Sequence, residues 1–264
     1  YNCAYCSKPI FGRTFRSMSA GRVVGEINYL REKLGVREIA FYDDVFTIDK
    51  KRIHEICEAL LSGGVKIGWT CETRVNLVDK ELLTHMKEAG CYSVAYGIES
   101  AAPEILGLLH KDITPEQVSG AVRLTQEAGL DTVGYFMLGS PGETPDTIEQ
   151  TIRFARELGL DFAQFSLTTP FPGTELYELL GERKDSVAWE SYIYSGGDSR
   201  MLPIFTSDGL SREDLKEWTR RAYREFYLRP TYVFQRLRKL RSWGDVKVNL
   251  NGLGMLREST KAGK

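Results

Sequence analysis

Apolar positions recur along this chain in two alternating patterns. Val23, Ile27, Leu30 and Leu34, and again Ile148, Ile152 and Ala155, are spaced by three and four residues, which gathers them on one face of a helix. Short apolar runs follow such stretches: Ile39-Ala40-Phe41-Tyr42, Val94-Ala95-Tyr96, Val133-Gly134-Tyr135-Phe136 and Phe162-Ala163-Gln164-Phe165. These read as buried strands. A glycine stands between helix and strand each time, at Gly35, Gly90, Gly129 and Gly159, with Gly63-Gly64 before Ile67-Gly68-Trp69-Thr70 as a looser copy. It suits the left-handed residue just past a helix end. Helix starts are marked too. Thr114-Pro115-Glu116-Gln117 is a capping box with Pro at the first helical position, and Thr144-Pro145 repeats the cap and the Pro without the Gln. Asp49 and Asp79 are simple caps.

Together these signals predict five strands, at roughly 38–43, 66–71, 92–98, 132–138 and 162–168. Strands that alternate with helices pair in parallel through right-handed crossovers, so the fold class is α/β. Five such strands form an open doubly wound sheet or part of a barrel, and ligands bind at the carboxyl ends of the strands in both. A length of 264 residues suits one α/β barrel. After a last barrel helix at about 174–180 the pattern changes. Residues 181–210 are loop-like, a helix runs from Ser211 to about Leu228, and Pro230 stops it before a basic helix at about 231–241. We therefore expect a barrel over 1–180 and a helical extension over 181–264.

Hydrophobic residues at 42% and charged residues at 27% are ordinary for a globular domain. No run of about 18 apolar residues suggests a membrane span, and the first residues resemble no signal peptide. Residues 211–264 carry 14 Lys/Arg against 6 Asp/Glu, within a net charge of −1. No base-stacking motif accompanies this basic tail, so a docked or solvated helical face is the reading and no nucleic-acid partner is expected. The chain opens on Tyr1-Asn2-Cys3 rather than Met and is expected to be a piece of a longer protein. Five cysteines without secretory context point to a reducing, cytoplasmic compartment. Cys57, Cys71 and Cys91 sit in apolar helix or strand patterns as small hydrophobes.

Two sets of residues carry candidate chemistry. Asp43 and Asp44 end the first strand, Glu72 and Arg74 follow the second, and Glu99 closes the third, so three successive strands deliver carboxylates to one rim. Cys3-Ala4-Tyr5-Cys6 is the other. Alone this Cys-x-x-Cys pair could be half a zinc site or a redox dithiol. No second Cys pair or spaced His pair completes a zinc site. No strand-then-helix context follows either, since Ser7-Lys8-Pro9-Ile10-Phe11-Gly12-Arg13 is a Pro- and Gly-containing loop. An iron–sulfur cluster is the better reading.

On these residues the chain resembles the radical S-adenosylmethionine (SAM) superfamily. Tyr1-Asn2-Cys3-Ala4-Tyr5-Cys6 looks like the end of its Cys-x-x-x-Cys-x-x-Cys motif, whose first Cys would lie two positions before Tyr1. Phe41-Tyr42-Asp43-Asp44-Val45-Phe46-Thr47 is similar to the segment near the SAM amino group. Tyr96-Gly97-Ile98-Glu99-Ser100 is similar to the ribose motif, and Gly134 to Thr144, with Leu138 and Gly139, to the strand and turn that frame the adenine. Trp69-Thr70-Cys71-Glu72-Thr73-Arg74-Val75 and Tyr223-Arg224-Glu225-Phe226-Tyr227-Leu228-Arg229-Pro230 resemble the cobalamin-dependent subgroup, which includes the anaerobic magnesium-protoporphyrin ester cyclase and phosphonate methylases.

The resemblance implies a partial (β/α)6 TIM-like barrel whose first strand is missing. It implies Cys3 and Cys6 as metal ligands of a [4Fe–4S] cluster. Asp43, Asp44, Glu72, Arg74, Glu99, Ser100, Leu138 and Gly139 would bind SAM, with Glu99 accepting from the ribose hydroxyls and Arg74 pairing with a carboxylate of SAM or substrate, or with Glu72. It further implies reductive cleavage of SAM to start methylation, cyclisation or rearrangement of a small-molecule or lipid-like substrate. An electron donor such as flavodoxin or ferredoxin and, in an upstream domain, cobalamin would take part. No catalytic residue is identifiable. The reading from another class is a structural or regulatory module that keeps the cluster and SAM.

Overall fold

The structure is a computed structural model that describes residues 1–6, 12, 14–180 and 209–239. Residues 181–208 of the loop expected over 181–210, most of the loop expected over 7–13, and the end of the basic tail from 240 onward lie outside the described residues. Five strands alternate with helices: α1 (Ala20–Leu34), β1 (Glu38–Phe41), α2 (Lys50–Ser62), β2 (Gly68–Thr73), α3 (Lys80–Glu88) and β3 (Cys91–Glu99). Then come α4 (Pro103–Leu108), α5 (Pro115–Glu127), β4 (Asp131–Leu138), α6 (Pro145–Glu157), β5 (Phe162–Leu167) and α7 (Glu175–Glu178). Two helices of the extension follow, α8 (Arg212–Tyr227) and α9 (Pro230–Lys239).

The strands lie in one sheet in the order β1-β2-β3-β4-β5. β1 pairs in parallel with β2, and β2 with β3. A doubly wound sheet reverses its order part-way, whereas this one advances one step at a time, as a barrel does. That settles the alternative the sequence leaves open in favour of the partial-barrel class. The described residues fall into two compact units. One holds residues 1, 12, 14–99 and 112–135, and the other residues 2–6, 100–111, 136–180 and 209–239.

Caps fix the helices where the sequence places them. The side chains of Asp49 and Asp79 accept from the N–H groups of Arg52 and Leu82 at 3.1 and 2.9 Å. Thr114 and Gln117 form a reciprocal box, and Thr144 forms one as well, with Thr147 in the role of the absent Gln. Each such cap is worth about 1 kcal/mol. Gly35, at φ 68°, ends α1 in the left-handed conformation that a side chain resists.

Of the boundaries that differ from the expectation, two have a local cause. β2 begins at Gly68 rather than 66, because the chain is still closing α2: the Val65 N–H reaches back to the Leu60 carbonyl at 2.9 Å. β1 stops at Phe41, its last residue paired with β2, so Asp43 and Asp44 lie in the turn beyond it. Short acids that bond to nearby backbone favour such a turn over continued pairing.

In the first unit Trp69, Ile53, Ile56, Leu82, Leu83 and Met86 are fully buried, and the Trp69 indole N–H donates to the Ala89 carbonyl at 2.8 Å. In the second unit α8 lies along β5. The hydroxyl of Tyr223 both donates to and accepts from the Phe165 backbone, at 3.2 and 3.1 Å. Tyr227 does the same at Ala163, at 2.8 and 3.0 Å. Two tyrosines one helical turn apart thus occupy backbone groups that an uncovered strand edge would offer to another chain. Arg156–Glu225 and Arg221–Glu149 ion pairs fasten the same helix, which accords with a docked face for part of the basic tail.

Candidate functional site

Within the first unit the predicted residues lie at or near the strand ends: Asp43, Asp44 and Arg74 just beyond β1 and β2, Glu99 last on β3, and Glu72 inside β2 rather than after it, because the strand runs on to Thr73. Asp43 is half-buried and Asp44 exposed. Glu72 is half-buried on β2 and its Oε1 accepts from the Tyr135 hydroxyl at 2.9 Å. Burial, with the Glu72 carboxylate beside it, raises the Tyr135 phenol well above its ordinary value. Arg74 is buried, with its guanidinium 3.9 Å from the centre of the Tyr1 ring. The next layer inward is hydroxylic, with Thr47 and Thr73 sharing a 2.5 Å hydrogen bond.

Glu99 ends β3 with φ at 68°, only 6% exposed. A non-glycine residue held there costs about 1–3 kcal/mol and persists only where its surroundings over-determine it. β3 ends on this left-handed residue.

Within the second unit, Cys3 and Cys6 stand at the two ends of one turn, closed by the Cys6 N–H on the Cys3 carbonyl at 3.0 Å. Cys3 is buried and Cys6 exposed. The turn is fastened through Ala4, whose N–H donates to the Leu109 carbonyl at 3.0 Å and whose carbonyl accepts from the Leu176 N–H at 2.9 Å. The Tyr5 ring packs on the cluster of Ala102, Ile105 and Leu109 and on that of Leu176 and Leu180. A main-chain clamp and an aromatic anchor therefore hold the spacing of the two thiols.

Ser100 is buried, and its hydroxyl is engaged with Thr151 Oγ1 at 3.1 Å and the Ala102 N–H at 3.2 Å. Leu138 is fully buried at the end of β4, and its carbonyl accepts from the Thr168 N–H at 2.8 Å. Gly139 follows at φ 82°. The Gly139 N–H donates to Glu143 Oε2, which also accepts from the Ser140 N–H at 2.8 Å. Burial pushes the Glu143 carboxyl up to about 7, against the two N–H groups that favour its charge.

The model of the radical SAM superfamily matches residues 1–155, from the first thiol turn past the Glu143 turn. The chain belongs to the radical SAM superfamily. Among its relatives, the protein named uncharacterized methyltransferase PH0819, from Pyrococcus horikoshii, is 38% identical over 89% of this chain and 50% of its own length. The anaerobic magnesium-protoporphyrin IX monomethyl ester cyclase of Rubrivivax gelatinosus is 30% identical over 88% of the chain and 41% of its own. The chain thus spans half or less of these relatives. The solved cobalamin-dependent SAM radical enzyme OxsB shares the fold, with a TM-score of 0.67 and 18% identity over 98% of this chain and 44% of that one.

Whether the residues fit the family's cofactors can be tested on the donors present. Two thiols on one clamped turn suit an iron–sulfur cluster, which binds through cysteine thiolates. Among the described residues no group of three or more His, Cys, Asp or Glu side chains is placed to hold a metal ion. Cys57, Cys71 and Cys91 are almost wholly buried, as expected of core thiols, and desolvation raises Cys57 to about 12 and Cys71 well above its ordinary value.

Two residues escape the sequence reading. Glu143 has a signal in retrospect: an acid directly after Gly139-Ser140-Pro141-Gly142 and before a Thr-Pro cap can turn back onto the exposed N–H groups. Lys111 has none, since it lies between His110 and Asp112 in what reads as a polar surface loop, yet it is 4% exposed.

Proposed function

We propose that the protein carrying this chain is a radical SAM enzyme that holds a [4Fe–4S] cluster with Cys3 and Cys6 among its ligands. It binds SAM and modifies a small organic or lipid-like substrate by methylation, cyclisation or rearrangement. The observation that carries this reading is the Cys3–Cys6 turn, clamped by both backbone groups of Ala4, in a chain that matches the family model from its first residue. When bound, the cluster supplies the electron that cleaves a carbon–sulfur bond of SAM.

The residues of the chain bind and orient. Glu99 accepts hydrogen bonds from the vicinal ribose hydroxyls, and its strained backbone and burial keep that carboxylate fixed and poorly hydrated. Leu138 gives the adenine an apolar wall, and Gly139 a backbone that can be approached closely because no Cβ intervenes. Asp43, Asp44 and Glu72 receive the amino end of SAM, and Arg74 a carboxylate of SAM or substrate, which its planar guanidinium can grip with two hydrogen bonds. Ser100 takes part through the backbone, its hydroxyl tying the residues after Glu99 to Thr151. The names of the relatives support a cobalamin-using methyltransferase or cyclase. A flavodoxin or ferredoxin donor in the cytoplasm completes the reading.

The test is SAM turnover by the full gene product, loaded with iron and sulfide and reduced. SAM consumption with 5′-deoxyadenosine or a methylated product is expected, and none from a cluster-loaded protein would contradict the proposal. Glu99→Gln should weaken SAM binding by about 10- to 100-fold, the worth of one hydrogen bond to a charged group, and leave the cluster absorbance unchanged. Unchanged affinity would remove Glu99 from the site.

A further inference from the structure

Lys111 is a buried cation whose place is set by an unusual stretch of backbone. After α4 the His110 N–H bonds to the Gly107 carbonyl at 3.0 Å and the Lys111 N–H to the Leu106 carbonyl at 2.9 Å. This helix ending places His110 in the left-handed region, at φ 50°, a position usually held by glycine. Asp112 adopts φ 50° as well. Two non-glycine residues in that region flank one lysine, and such strain collects where the surrounding structure has a use for it. Here it leaves His110 and Asp112 exposed and turns Lys111 inward.

A buried ammonium is costly unless it is partnered. The Lys111 Nζ donates to the Tyr5 hydroxyl at 2.9 Å and lies 5.7 Å from the centre of its ring. Tyr5 stands between Cys3 and Cys6. The same short segment clamps the turn from the other directions, since Leu109 accepts from Ala4 and His110 pairs with Glu175 at 3.3 Å, one residue before Leu176. Residues 109–111 therefore hold the thiol turn by a main-chain bond, a His110–Glu175 contact at the start of α7, and a lysine on the phenol.

We propose that Lys111 is a positioning residue of the cysteine turn that also makes the bound cluster easier to reduce. It fixes the Tyr5 phenol, and with it the spacing of the two thiols. Its charge, held in a low-dielectric setting, favours the cluster state that carries one more electron, since net charge is among the properties that set such potentials. The inference rests on the cluster reading given above.

The experiment is a one-electron redox titration of the full gene product after reconstitution with iron and sulfide, in wild type, Lys111→Met and Lys111→Arg. Circular dichroism confirms folding, and iron and sulfide are counted for each. Lys111→Met should keep the fold and lower the reduced-to-oxidised ratio about tenfold at a fixed potential, equivalent to about 59 mV. Lys111→Arg should restore most of it. A folded Lys111→Met that loses its cluster while Lys111→Arg keeps it also supports the positioning role. A Lys111→Met protein with wild-type potential and iron content would overturn the inference, as would Lys111→Arg behaving like Lys111→Met. A wild type that takes up no cluster would instead sink the functional reading, and this inference with it.

Discussion

The loop that carries Cys3 and Cys6 and the interior that carries Cys57, Cys71 and Cys91 hold the same side chain by different means. The three interior thiols lie on regular elements, on α2, β2 and β3, with exposures of 0, 2 and 1%. Desolvation raises Cys57 and Cys71, and the neighbouring thiols raise them further, so these groups stay protonated and act as small hydrophobes. The loop pair has no helix or strand of its own. Its geometry comes from outside, through Ala4 and Tyr5. A thiol in a regular layer is fixed by the layer and made inert by it, whereas the Cys3 and Cys6 thiols sit on a turn that is clamped from outside.

The sharpest way to break this contrast is to exchange the two sets. Cys3→Ser or Cys6→Ser should abolish iron and sulfide uptake by the full gene product, while the triple change of Cys57, Cys71 and Cys91 to Ala should leave both near wild type. The opposite result in elemental analysis would reverse the assignment of the thiols.

Glu143 extends the comparison to a carboxylate that burial also raises, here into an accessible range. The folded carboxyl keeps its proton to about 7, against an ordinary value of 4.5. The native chain therefore binds the extra proton between those limits. The stabilisation is complete below about 4.5 and is lost as the pH rises towards 7. At about 1.4 kcal/mol per unit the change is about 3 kcal/mol, and Glu143→Gln should flatten that part of the stability–pH curve in denaturant titrations. An identical slope in the variant would mean that the carboxyl is not buried as described.

Smaller effects sharpen the interior side. Cys57→Ala, Cys71→Ala and Cys91→Ala should each cost about 1–2 kcal/mol in urea unfolding, the range for removing one heavy atom from a packed core. Because Cys71 interacts with both of the others, the triple variant should depart from the sum of the three. Strict additivity would show that the thiols do not touch.

Much of this was legible in the sequence, for reasons that particular residues make plain. Caps at Thr114 and Asp79, and the glycine at Gly35, act within a few residues of themselves, so local chemistry reveals them. The same holds for the apolar faces and for the alternation of strand and helix. Features that need distant partners were hidden. Ser100 gives no local sign of the Thr151 hydroxyl beside it, 51 residues further along the chain. Tyr223 and Tyr227 look like part of an amphipathic helix, and only the presence of β5 makes them edge caps. Lys111 is the extreme case, because its burial depends on two left-handed residues that no periodicity signals.

In the proposed function the Cys3–Cys6 turn holds a cluster to which SAM binds. Electron paramagnetic resonance of the reduced, reconstituted gene product tests it most directly. The account predicts a reduced [4Fe–4S] signal that changes shape when SAM is added and is absent from Cys6→Ser. A signal indifferent to SAM, or one that survives Cys6→Ser unchanged, would contradict it.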